Sequence, residues 1–140
     1  MNKQILKLCL MLVGLGLSAS VWAGNVVMIV NKENHNNISK RLVVKIYKGE
    51  AKLWGSGGAI EALSLPQDSP ETNEFCNEIL GKKLIHMKLL WSQMMFSGHG
   101  VPPREVASDE DVKKRVSNNV NAIGFIKASS LDGSVKAVIK

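Results

Sequence analysis

The sequence predicts a small α/β protein: a sandwich whose sheet, mixed or mainly parallel, is flanked by helices. Three observations carry this. An unbroken apolar run, VVMIV at 26–30, suits a strand buried on both faces, as in a parallel sheet with helices on each side. The order of elements along the chain is strand, helix, strand, two helices, strand, which is the alternation that builds such layers. The chain has 140 residues, 45% of them hydrophobic, enough for one core and too few for a second full domain.

After the strand at 26–30 comes the polar stretch 31–37, and Ser39 is placed to cap a helix running to Tyr47. Leu42, Val43, Ile46 and Tyr47 fall on one face of that helix, Lys40, Arg41, Lys45 and Lys48 fall off it, and Gly49 ends it. Trp54 and the glycines at 55, 57 and 58 form a loop before a strand at 59–65, in which Ile60, Ala62 and either Leu63 or Leu65 face the core. Pro66, Gln67, Asp68, Ser69 and Pro70 make a turn into a helix, with Asp68 or Ser69 as cap and Pro70 in the first turn. That helix carries Phe75, Ile79 and Leu80 to Gly81. A second helix over 82–96 has a heavy apolar stripe of Leu84, Met87, Trp91, Met94 and Met95, read as core. Residues 97–103, with two glycines and two prolines, form a loop. Ser108 with Asp111 three residues on resembles a capping box opening a helix to about Ser117. Strands at 122–126 and 135–139 close the chain, the second after an Asp132, Gly133 turn. Trp54 and Trp91 are expected to be buried.

The first 23 residues read differently. Lys3 and Lys7 precede an apolar run of about ten residues, and Val21, Trp22, Ala23 form a small-residue cleavage pattern before Gly24. This is a signal peptide over 1–23 rather than an anchor, because a membrane span needs about 20 apolar residues. It predicts a periplasmic product with one domain over 24–140. Cleavage removes Cys9 and leaves Cys76 alone, so the core holds without a disulfide, and Cys76 beside Phe75 reads as a buried small hydrophobe.

The 18 Lys and Arg exceed the 12 Asp and Glu by six, and by four once Lys3 and Lys7 leave with the leader. The cations are scattered and aromatics are 5% of the chain, which suits a small anion or an acidic partner and excludes nucleic acid. His35, His86 and His99 have no metal-ligand spacing with one another or with Cys76. No nucleophile elbow, phosphate-cradling glycine loop or dinucleotide fingerprint is present, so the chain reads as a binding protein and not an enzyme, without a cofactor. Asp109, Glu110 and Asp111 read as first-turn charges on a helix dipole. The one chemical feature left is the helix opening at Asp68, Ser69, Pro70, Glu71, Thr72, where unpaired N–H groups and small hydroxyls can meet an anion.

Four segments then resemble, in order, those of one family. Ile46, Tyr47, Lys48, Gly49 followed by Trp54 resemble an IF-x-G…W segment. Asp68 and Ser69, with Phe75 six residues after the serine, resemble a D-x-S-G-T-x-x-x-F turn with one residue fewer before the serine. Trp91 and Phe96 with Gly98 and Gly100 resemble W…F-x-G, and Ala122, Ile123, Gly124, Phe125 resemble A-I-G-Y. The set covers nearly all of 24–140 and is similar to the phosphate-binding, substrate-binding component of ABC phosphate importers, a type II periplasmic binding protein, in a short single-lobe form.

The resemblance implies a three-layer lobe and a small anion such as phosphate, held in a cleft by backbone N–H groups and hydroxyls. It also implies a membrane transporter or sensor protein as partner. Ser69 is the residue that matches the family's site, Thr72 is a substitute hydroxyl, Asp68 stands beside them, and Ser97 and His99 are further candidates for the lining. Where the family has Ser, Gly, Thr, this chain has Ser69, Pro70, Glu71. Pro70 removes a donor, Glu71 adds a like charge, and 63–67 offers no cation. Losing two or three charge-assisted bonds of ~1.5–3 kcal/mol each moves a micromolar site towards millimolar. The other reading is an accessory interaction module in which the former cleft face, with the loop at 98–103, binds a membrane sensor, a transporter or a second copy.

Overall fold

The computed structural model describes residues 25–139, so the expected signal peptide lies outside the described residues. Its elements are β1 (Val26–Val30), α1 (Lys40–Tyr47), β2 (Glu61–Ser64), α2 (Pro70–Glu74), α3 (Leu84–Ser97), β3 (Arg104–Glu105), α4 (Asp109–Asn118), β4 (Ala122–Lys127) and β5 (Lys136–Val138). They form one five-stranded sheet in the order β3-β2-β4-β1-β5. β2 runs parallel to both β3 and β4, whereas β1 is antiparallel to both β4 and β5. The sheet is therefore mixed. The apolar run of β1 does mark a central, buried strand, but its neighbours run the other way; burial on both faces produces such a run whatever the strand direction.

The faces of the sheet follow from alternation along β4. Gly124 lies under Val112 of α4, while its neighbour Phe125 stacks on Phe75 in the opposite layer, with centroids 4.1 Å apart and planes 10° apart. So α4 covers one face, and α1 and the α2 segment cover the other. Tyr47 of α1 meets Phe75 edge-on at 4.7 Å and donates its hydroxyl proton to the Leu63 carbonyl of β2 at 2.7 Å. Burial, and beyond it the nearby Cys76, push the Tyr47 hydroxyl far above the ordinary tyrosine range. Trp91 of α3 donates its ring N–H to the Tyr47 carbonyl at 2.9 Å, and Trp54 donates to the Asn121 carbonyl at 3.0 Å. Both indoles are buried, as the sequence predicts.

Local chemistry accounts for the boundaries. The Ser39 hydroxyl accepts from the Leu42 amide at 3.1 Å, and the chain leaves α1 through Gly49 at φ +76°, a conformation glycine takes without a Cβ clash. The predicted strand at 59–65 shortens to 61–64, because Ala59 instead bridges Leu53 across the Trp54 loop. After α2 the chain widens into a π-helical turn, Phe75–Leu80, which puts Phe75, Cys76 and Leu80 into the core together. The second predicted helix begins at Leu84, and its stripe is corrected at one position: Met87, Trp91 and Met94 are buried, but Met95 points to solvent. Asn31, just past β1, donates its side-chain amide to the Val116 and Ser117 carbonyls at 2.9 and 3.1 Å, tying down the end of α4. The two-residue β3 has no periodic signal and is not foreseen by the sequence.

Candidate functional site

β2, β3 and β4 point their carboxyl ends the same way, so the turns leaving them gather at one rim of the sheet. Beyond β2 the chain turns at Leu65 and Pro66, where the Ser69 amide donates back to the Pro66 carbonyl at 2.9 Å, and Ser69 caps α2. Its hydroxyl accepts from the Thr72 amide at 3.2 Å and lies 2.9 Å from the Thr72 hydroxyl. Thr72 is fully buried, with its hydroxyl 2.8 Å from the Pro66 carbonyl and 3.1 Å from that of Leu65. Carbonyls only accept, so the Thr72 proton goes to them and Ser69 donates to Thr72. Both hydroxyls are thus engaged in holding the turn.

Across the rim, Ser108 caps α4, its hydroxyl accepting from the Asp111 amide at 3.2 Å. Between the two helix openings lies a cavity of about 390 Å³, lined by Pro66, Ser69, Glu71, Ser108, Asp109 and Lys127 among others. Lys127, the last residue of β4, brings the cavity a positive charge, with its Nζ 3.6 Å from Glu71 Oε1. Asp109 Oδ2 accepts from the Ser130 hydroxyl at 2.6 Å and from the Lys127 amide at 3.2 Å. Glu110, also on the wall, pairs with Lys113 at 2.8 Å. The positive ends of both helices are therefore already met by the chain's own carboxylates.

The sequence-predicted residues divide. Ser69 lines the cavity, Thr72 lies beneath it, and Asp68 is exposed beside it without lining it. Ser97 and His99 stand elsewhere: they precede β3, at the amino ends of the parallel strands, where the adjoining Gly98, Gly100 and Val101 flank a separate groove of about 510 Å³ with Gly49 and Ile60. The structure does not bring them to Ser69. Lys127, Ser108 and Ser130, which do line the cavity, escape sequence reading as a site because only the strand order places them there. Among the described residues no group of three or more His, Cys, Asp or Glu side chains is placed to hold a metal.

With the fold and this rim in view, solved structures give the comparison. The chain is similar to an ABC-type phosphate transport receptor from Vibrio cholerae, with a TM-score of 0.61 and 23% identity over 81% of this chain and 45% of the receptor. It is similar in the same way to a phosphate ABC transporter substrate-binding protein from Clostridium perfringens, solved with bound phosphate, with a TM-score of 0.61 and 25% identity over 81% of this chain and 44% of that one. Its fold is that of the phosphate ABC transporter substrate-binding proteins. PstS from Borrelia burgdorferi shares it at a TM-score of 0.55 and 16% identity, over 81% of this chain and 46% of PstS. The chain spans less than half the length of each of these substrate-binding proteins. No protein-family profile matches the sequence, and no curated protein matches it by sequence.

Proposed function

We propose that this chain is an exported, periplasmic binding module of the phosphate-receptor type, a substrate-binding or sensing component linked to an ABC phosphate transporter, whose ligand is a small oxyanion such as phosphate. The single observation that carries the reading is the convergence of the Ser69 opening of α2, the Ser108 opening of α4 and Lys127 on one cavity, at the carboxyl ends of three parallel strands. An oxyanion entering there displaces Glu71 from Lys127, and the Ser69 hydroxyl turns its proton from Thr72 to the anion while still accepting from the Thr72 amide. Binding is weak, because Glu71, Asp109 and Glu110 on the walls leave the cavity with more negative than positive charge. We place the affinity in the millimolar range, and the role in sensing or delivery at high concentration rather than scavenging. No bond is made or broken in this reading.

A second reading, an accessory protein-interaction module that no longer captures a ligand, draws on the same carboxylates: Asp109 is already hydrogen-bonded where an anion would sit. Melting the protein in a series of phosphate and sulfate concentrations separates the two. Ligand at 100 times its dissociation constant adds ~2.7 kcal/mol of stability. A saturable rise in Tm with phosphate, absent with sodium chloride of equal ionic strength, supports the binding module. A phosphate curve that overlays the chloride curve supports the interaction module.

A further inference from the structure

Helix α3 is apolar on both sides. Met87, Trp91 and Met94 enter the core, while Ile85, Leu89 and Phe96, spaced so that they share one line along the helix, point the opposite way. These outward side chains are not partly covered: Phe96 is 91% exposed, Met95 71%, Ile85 66% and Leu89 59%, and Val101 in the following loop is 86% exposed. Ser92 interrupts this line, but a helix that carries apolar side chains on both faces is built to be covered on both, and the fold covers only one.

The charges around the stripe select what covers it. From residue 79 to residue 104 the sequence has no Asp or Glu, while Lys82, Lys83 and Lys88 stand on α3 or at its start. Lys88 stands next to Leu89 on the helix, Lys82 and Lys83 lie just ahead of its first turn, and among the described residues no ion pair engages any of the three lysines. A second copy docking helix to helix would bring these lysines together with no acid between them. The residues that most often carry the binding energy of a protein interface are Tyr, Trp and Arg; the stripe has none of these, and the one indole of α3, Trp91, is turned into the core. An aliphatic and Phe line bordered by lysines is instead the pattern of a helix lying in a lipid interface, its apolar edge among the acyl chains and its cations at the headgroups. Among the described residues no helix is long and apolar enough to cross a membrane, so α3 lies along the surface.

We propose that the outer face of α3, with Val101 beside it, docks this protein on an anionic phospholipid membrane. The inference does not rest on the oxyanion reading, since the stripe and the cavity share no residue. The test is co-sedimentation of the exported protein with vesicles of phosphatidylcholine alone and of phosphatidylcholine mixed with phosphatidylglycerol. Binding to the anionic vesicles is expected to be at least tenfold tighter and to weaken as sodium chloride rises from 0.1 to 0.5 M. Leu89→Ser with Phe96→Ser should weaken it more than tenfold, and Lys82→Gln with Lys88→Gln about fivefold for each lysine. Val120→Ser, at an exposed valine away from α3, should change nothing. All five positions are exposed or half-buried, and unchanged melting temperatures verify that each variant folds. Absence of binding to anionic vesicles, or binding that the serine pair retains, overturns the proposal. So does binding to poly-glutamate in place of vesicles, which would assign the face to an acidic protein.

Discussion

Gly124→Ala tests how tightly α4 is seated on the sheet. A Cβ built on Gly124 would lie 2.7 Å from Val112 Cγ1 and 3.4 Å from Leu63 Cβ, where carbon atoms in comfortable contact stand at about 3.5–4.0 Å. Val112 is fully buried and, being β-branched in a helix, has essentially one rotamer, so it cannot swing aside. Either α4 lifts or β4 bends. An extra methyl in a full core costs about 1–3 kcal/mol, and the smaller entropy of the unfolded alanine chain returns about 0.4–1. The net loss is ~1–2 kcal/mol, or roughly 4–8 °C in Tm. Val112→Ala alone removes two methyl groups at ~0.8 kcal/mol each and leaves a cavity. In the double variant the new methyl fills that cavity, so Gly124→Ala becomes neutral or stabilising, with a coupling of at least about 1 kcal/mol. Urea melts of the four proteins measure this. If Gly124→Ala costs the same in both backgrounds, within about 0.5 kcal/mol, the steric account of this glycine is wrong.

Two further outcomes follow from side-chain environments. Burial pushes the Cys76 thiol up to about 11 against a smaller opposing effect of Lys88, so the native protein should resist a thiol reagent at pH 8 and react at once in denaturant; rapid native labelling would show Cys76 to be accessible. Asp132 is held well below the ordinary carboxylate range by its hydrogen bond from Lys113 at 2.8 Å and then by Ser134, and Lys113 is correspondingly raised. Because the native carboxylate holds its proton less tightly than the unfolded one, its stabilisation is present above about pH 4 and is lost as the pH falls further. Asp132→Asn should therefore lower Tm at pH 7 by more than at pH 2, the gap between the two proteins narrowing steadily as the pH falls below about 4, and a gap that widens in acid would reverse the sign of the argument.

Much of the fold was legible because its signals are local. Ser39, Ser69 and Ser108 each announce a helix by the same hydroxyl-to-amide bond three residues on, and all three caps form. The direction of β1 was not legible, since a strand buried on both faces reads the same in either orientation. Nor was the outward stripe of α3 fully so: Met94 and Met95 are equally apolar in sequence, and only the 100° between neighbours on a helix sends one inward and the other to solvent. The candidate site was half legible. Ser69 and Thr72 declare themselves as a helix opening, but Lys127 lies 55 residues after Thr72, and only the parallel pairing of β2 with β4 brings it to the same rim. Ser97 and His99, the further candidates for the lining, stand in the loop at 97–103. That loop precedes a parallel strand rather than following one, which puts it at the other end of the sheet.

The proposal that the rim cavity takes an oxyanion is tested most directly by isothermal titration of phosphate into the wild type, Glu71→Thr and Ser69→Ala at one ionic strength. Glu71 is the carboxylate that an entering anion must displace from Lys127, and two like charges ~4 Å apart repel by about 1 kcal/mol even in water. The account predicts weak binding to the wild type, binding at least about fivefold tighter to Glu71→Thr, and none to Ser69→Ala. Equal affinity in all three proteins, or no heat in any, would contradict it.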